Sequence, residues 1–226
     1  MLAKIKSSGV LEEGDVFDFE IISHICDVAA AAGHVSNKGS IVMTHDTYRT
    51  IMAVRDALFS LKDKTLEEAV MTYLQARATW LGFESAESLE DKTLVRLACM
   101  MRLFDPEARK MLKVQWAQLP KEMRIETADS FNPLREIEGL TPTYVPAVFV
   151  NVYTSVEEKN QAISRILGQV LPFVLKAQRE FRASESYDPT MTLSFNKVAA
   201  VARDTADLPA EKSPYHIDDQ GNVIVD

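Results

Sequence analysis

Between Ser155 and Ala183 apolar side chains recur at steps of three and four: Ile163, Ile166, Val170, Phe173, Ala177 and Phe181. That is the repeat of one helix face. Leu167, Leu171, Val174 and Leu175 widen the stripe to nearly the whole circumference. A helix that is apolar all round has to be enclosed by other elements. The pattern therefore predicts an all-α fold packed around this one long helix. Ser155 and Glu158 are spaced as a capping box at its start. Pro172 lies inside it with Gly168 four residues before, which predicts a kink near Gly168–Pro172. Only eight glycines occur in 226 residues. So few residues tolerant of positive φ leave little material for tight hairpins and favour helices again.

The remaining helices are punctuated by local signals, and the whole reads as a single domain of about seven or eight helices. Residues 1–18, broken by Gly9 and Gly14, read as an N-terminal arm, 19–206 as the helical domain and 207–226 as a polar C-terminal tail. A first helix is expected over Phe19–Ala32, closed by Gly33, with a loop over Val35–Ser40. A second starts near Thr44 or Asp46, and Ile51, Val54, Leu58 and Leu61 share its apolar face. Thr65 with Glu68 is a capping box for a third, which ends at Gly82. A buried helix follows over Asp91–Phe104. Asp105-Pro106-Glu107 then restarts the chain: an N-cap, a proline at the first helical position and an acid at the positive helix end. That helix runs to Leu119, before Pro120. Val148–Tyr153, β-branched and aromatic, reads as a strand or the start of a buried helix. A short helix is expected over Asn196–Ala206, and the last residues look strand-like.

Neither a leader peptide nor a bilayer-spanning run is visible, so the expected product is soluble. Cys26 and Cys99 lie in apolar patterns and read as buried thiols of the cytoplasm or another reducing intracellular compartment, although one disulfide between them is possible. The net charge is −8. Against that background Lys92–Arg124 stands out, with eight basic and three acidic residues, a segment charge of +5. Such an asymmetry speaks of electrostatic partners rather than of fold.

The binding residues suggested by this island are Arg102, Arg109, Lys110, Lys113 and Trp116. Arg109 and Lys113 are four apart and share a helix face, and Trp116 borders it three residues on. A cationic face beside an aromatic ring suits a nucleic-acid backbone with one stacked base, or an acidic protein segment. The acidic stretch from Glu185 to Asp226 is an internal competitor, at up to about 1 kcal/mol per exposed pair. The bland alternative is a buried Met111, Leu112, Trp116 and Leu119 stripe with solvated charges outside it.

Two metal-binding patterns are also present. His24 followed by His45-Asp46 resembles the metal site of HD-type phosphohydrolases, and the resemblance implies a bound ion that activates water, with Asp91 or Asp105 as a later ligand. Glu84, Glu87, Glu90 and Asp91, with Glu67-Glu68 upstream, are similar to the paired carboxylates that hold magnesium in all-α nucleotide pyrophosphohydrolases. No phosphate-cradling glycine loop, G-x-S-x-G or C-x-x-C occurs. The favoured expectation is a non-enzymatic binding or assembly protein with no catalytic residues, metal or cofactor. It would self-associate or bind a protein, with nucleic acid as the variant partner and no membrane. A metal-dependent HD-type phosphohydrolase using His24, His45 and Asp46 is the alternative.

Overall fold

A computed structural model describes residues 2–30, 43–84, 86–131, 142–184, 191–204 and 210–225. The chain is all-α, with one two-stranded antiparallel sheet among the described residues. It divides into two compact units, Met1–Ala76 and Arg77–Asp226. No helix among the described residues is long and apolar enough to cross a membrane. The expected Gly33 cap and Val35–Ser40 loop lie outside the described residues.

The first unit contains α1 (Leu2–Ser7), α2 (Gly14–Ala30), α3 (His45–Phe59) with a 3-10 turn at Ser60–Lys62, and the first turns of α4 (Leu66–Trp80). Thr44 caps α3 by accepting from the Thr47 N–H at 3.1 Å. The Thr65–Glu68 box forms in both directions: Thr65 Oγ1 accepts from the Glu68 N–H at 3.2 Å, and the Glu68 carboxylate from the Thr65 N–H at 2.8 Å. The expected arm is partly helical, and α2 starts at Gly14 rather than Phe19. Burial explains this. Leu11 and Phe17, both on the expected arm, are 2% and 5% exposed and form a small core with Leu61 and Ala69, flanked by Ile5, Val10, Ile21, Leu58 and Leu66. Phe17 also stacks on Phe59, with ring centroids 6.0 Å apart. Arg55 grips Asp18 at 2.7 Å.

The second unit holds the end of α4, then α5 (Leu89–Met100), α6 (Pro106–Ala117), α7 (Lys121–Ser130), α8 (Val145–Ser155), α9 (Lys159–Arg165), a π turn (Ile166–Val170), α10 (Leu171–Ala183), α11 (Asn196–Asp204), β1 (Tyr215–Ile217) and β2 (Val223–Val225). Ser88 caps α5 through the Asp91 N–H at 3.0 Å, and Asp105 caps α6 through the Ala108 N–H at 2.8 Å. Val148–Tyr153 is helical. Val145, Val148, Phe149 and Val152 fall on one buried face, and α8 packs against α5 and α11. Tertiary burial thus overrides β-branched propensity. Ser155 does not cap the long helix, because it is the last residue of α8. Val156 is extended, and Glu158 is the N-cap, accepting from the Asn160 and Gln161 N–H groups.

The π turn sits where the sequence predicts a kink. In regular α geometry the Pro172 ring would press on the Gly168 carbonyl. Here the Leu171 N–H bonds back to the Ile166 carbonyl, five residues earlier, and the widened turn relieves that contact.

The chain end forms a hairpin with Tyr215 opposite Val225, His216 opposite Ile224 and Ile217 opposite Val223. Its turn needs Gly221, whose φ is +80° and where a Cβ would lie 2.6 Å from the Thr192 carbonyl oxygen. The hairpin is pinned to α10. The Tyr215 ring meets Phe173 edge-on at 5.1 Å, its hydroxyl donates to the Glu180 carboxylate, and Lys176 reaches the Glu211 carbonyl at 3.2 Å. Burial first, and then the Glu180 carboxylate, push the Tyr215 phenol above its ordinary pKa.

Candidate functional site

The basic island maps onto the corner where α4, α5 and α6 meet. Two helices end there in the same hydrogen-bond pattern. After α4, the Phe83 N–H bonds the Ala78 carbonyl at 2.9 Å and the Gly82 N–H bonds Thr79 at 3.0 Å. After α5, the Leu103 N–H bonds Ala98 at 2.8 Å and the Arg102 N–H bonds Cys99 at 3.1 Å. Both are Schellman closures, which place the residue after the cap in the left-handed region. At the first, Gly82 has φ +69° at no steric cost. At the second the residue is Arg102, with φ 55°. A side chain there costs roughly 1 kcal/mol or more.

Arginines secure both closures. Arg109 on α6 donates to the Gly82 carbonyl at 2.7 Å, and its guanidinium lies 5.1 Å from the centre of the Phe83 ring. Lys113, one turn on, places its amine 5.2 Å from the same ring. Arg77 is 1% exposed, donates to the Leu103 carbonyl at 2.7 Å and lies over Trp80 (5.2 Å) and Phe104 (4.6 Å). Helix C-termini carry partial negative charge, so cations at these carbonyls are well placed.

The expected binding residues therefore separate. Trp116 is 2% exposed, on the buried stripe with Ala108 and Leu112, and its indole N–H donates to Glu90 at 2.7 Å. It cannot offer a ring face to a base. Its position three residues from Lys113 is real, but the stripe at Ala108, Leu112 and Trp116 points the other way. Arg109 is committed to Gly82 and Phe83. Lys110 makes an exposed pair with Glu107 at 3.1 Å. Arg124 pairs with Glu90 at 3.6 Å. Arg102 and Lys113 are exposed, and neither has an ion-pair partner among the described residues. With Lys110, Lys113, Val114 and Ala117 all exposed, the outer face of α6 mixes cations with apolar surface, and Val114 alone is 56% exposed. The described part of the acidic tail rests on α10 through Tyr215 and Lys176 rather than on this face.

Among the described residues the metal patterns are not drawn together. His24 and His45 are exposed, and Asp46 pairs with Arg49 at 3.4 Å. Asp105 is occupied as a helix cap and Glu90 by Trp116 and Arg124. Among the described residues no three His, Cys, Asp or Glu side chains come close enough to hold an ion. Cys26 and Cys99 are not joined in a disulfide; Cys26 is exposed and Cys99 half-buried, in contrast to the burial expected for both.

A family profile described as "Family of unknown function (DUF6829)" matches residues 5–206. The chain belongs to that family. The match takes in α2 and the whole α4–α6 corner and stops before the hairpin. No curated protein and no solved structure matches the chain.

Sequence reasoning missed Phe83, which two cations share, Arg77, and the positive φ of Arg102. Phe83 carries a faint signal, since the residue after a helix-closing glycine is often apolar and folds back on the last turn. Arg102 carries none, because its neighbours contain no glycine or asparagine to mark the end of α5.

Proposed function

We propose that the protein is a non-catalytic binding and assembly protein, and that it receives an acidic, amphipathic protein segment on the outer face of α6. The observation that carries this reading is the face itself: Lys110, Lys113, Val114 and Ala117 exposed together, with Arg102 exposed at the adjoining corner. An acidic amphipathic helix would satisfy both its charge and its apolar surface. Nucleic acid is the weaker fit. Trp116 supplies no stacking surface, Arg109 is engaged within the chain, and the whole chain is at −8. The left-handed backbone at Arg102 supports a role for its side chain, because no ion pair among the described residues offsets that strain. Two cysteines outside any disulfide fit a reducing intracellular compartment.

Fluorescence anisotropy with a labelled Glu/Leu amphipathic peptide, alongside a labelled oligothymidine, tests this. The peptide should bind, weaken as salt rises, and lose about tenfold or more in affinity with Lys110→Glu/Lys113→Glu. Binding of the oligothymidine but not the peptide, or peptide binding indifferent to the double substitution, would refute it.

A further inference from the structure

The first unit contains a helix whose composition does not match its burial. Of the 17 residues of α2, Val16, Phe17, Phe19, Ile21, Ile22, Ile25, Cys26, Val28, Ala29 and Ala30 are apolar, yet only Phe17 is buried. Helix geometry divides them into two faces. Phe17 and Ile21 join the small core, and half-buried Ile25 and Val28 share their face, beside Asp18 with its Arg55 partner. Val16, Phe19, Ile22 and Cys26 form a second stripe on the opposite side. There Val16 is 43%, Phe19 66% and Ile22 58% exposed, and Cys26 is exposed too. A contiguous apolar stripe left in water marks an interaction surface. Its edge is acidic: Glu20 and Asp27, seven apart, run along one side, both exposed and without ion-pair partners among the described residues.

The chain thus carries an acidic, amphipathic helix of the kind that the α6 face would take. We propose that the partner segment is α2 of a second copy of this chain, docked head-to-tail on the outer face of α6. This inference rests on the reading of α6 given above. Charge complementarity selects the occupant. Residues 1–76 carry seven basic and eleven acidic residues, a net −4, whereas Lys92–Arg124 carries +5. Glu20 and Asp27 on one copy would face Lys110 and Lys113 on the next, while Phe19 and Ile22 cover Val114 and Ala117. Pairing α2 with α2 instead would set the acidic edges of two copies together, and like charges in contact oppose association. Two helical faces of this length bury an area at the low end of specific interfaces, below about 1,200 Å² in total. Association is therefore weak, and it depends on protein and salt concentration. Because the two surfaces differ, each copy keeps one of each free until the assembly closes into a ring or extends as a chain.

Charge reversal tests the arrangement without touching a buried residue. Glu20→Lys/Asp27→Lys and Lys110→Glu/Lys113→Glu are each examined alone and then mixed, by sedimentation velocity, with thermal melts to confirm folding. Each variant alone should be monomeric at a concentration where the wild type associates. The equimolar mixture should associate again, because positive α2 then meets negative α6 and the reverse pair is complementary too. A wild type that stays monomeric at every concentration, a charge-reversed variant that still associates by itself, or a mixture that remains monomeric would each overturn the proposal. The Glu/Leu peptide keeps the two readings apart. If it binds α6 while the chain never self-associates, only the self-docking is wrong. If it does not bind, the α6 reading itself fails.

Discussion

Helices α2 and α10 have comparable apolar content and opposite fates. In α10, eight of 13 residues are buried, from Leu171 through Phe181, with Phe173 between the rings of Phe195 and Tyr215. In α2, one of 17 is buried. Hydrophobic composition alone does not tell the two apart, since both are more than half apolar. What separates them is the number of elements in the same unit that close around each one. Around α10 the hairpin, α7 and the π turn supply partners. Among the described residues, α2 meets α3 and the short core at Leu61 and Ala69 on the face that carries Phe17 and Ile21. The apolar surface of α10 holds the fold together, and that of α2 is left over for something else.

Truncating the two aromatics tests that difference most strongly. Phe173→Ala removes a ring with 0% exposure and should cost about 3–5 kcal/mol in chemical denaturation. Phe19→Ala removes a ring that is 66% exposed and should change stability by no more than about 0.5 kcal/mol, while weakening self-association. Equal losses in the two would erase the distinction. A smaller effect is expected at the corner of α5 and α6. Arg102→Gly relieves the left-handed strain and should raise stability by about 0.5–1 kcal/mol, and it should weaken peptide binding to α6 at the same time. A stability gain with binding unchanged would remove Arg102 from the binding face.

The smallest effect is one of pH, and it concerns the turn that joins β1 to β2. The Asp218 carboxylate accepts from the Asn222 side chain, then from the Asn222 and Gln220 N–H groups, and these bonds hold it below the ordinary carboxylate range. A lowered pKa in the fold means that the contribution is complete above the unfolded value of about 4 and is lost as pH falls through the lower folded value. Amides of β1 and β2 should therefore lose protection below about pH 4, after correction for intrinsic rates, and Asp218→Asn should remove that pH dependence.

What the sequence revealed was local. Asp105-Pro106, Thr65–Glu68 and Thr44 announce their helices because a cap is made by residues three apart. The period of the Ser155–Ala183 run marks the buried axis correctly for the same reason. The exact start of that axis was obscured. Ser155 and Glu158 have the spacing of a box, but extended Val156 divides two helices there, a break set by how α8 packs on α5 and α11. The candidate site was less legible. Which cations are spent depends on carbonyls distant in sequence, as when Arg109 reaches Gly82 and Arg77 reaches Leu103. Spacing allows Trp116 either beside the patch or on a buried stripe with Leu112, and the structure turns it inward with Ala108 and Leu112. No sequence pattern distinguishes α2 from a core helix, because the exposure of Val16, Phe19 and Ile22 is set by tertiary packing.

Hydrogen exchange on the intact wild-type chain at low and high protein concentration tests the central claim directly. At low concentration the amides of α2 should exchange far faster than those of α10, in keeping with the few buried contacts that hold it. Raising the concentration should slow exchange in α2 and α6 and leave α10 unchanged. Protection in α2 equal to that in α10 at low concentration, or independent of concentration throughout, would contradict the account.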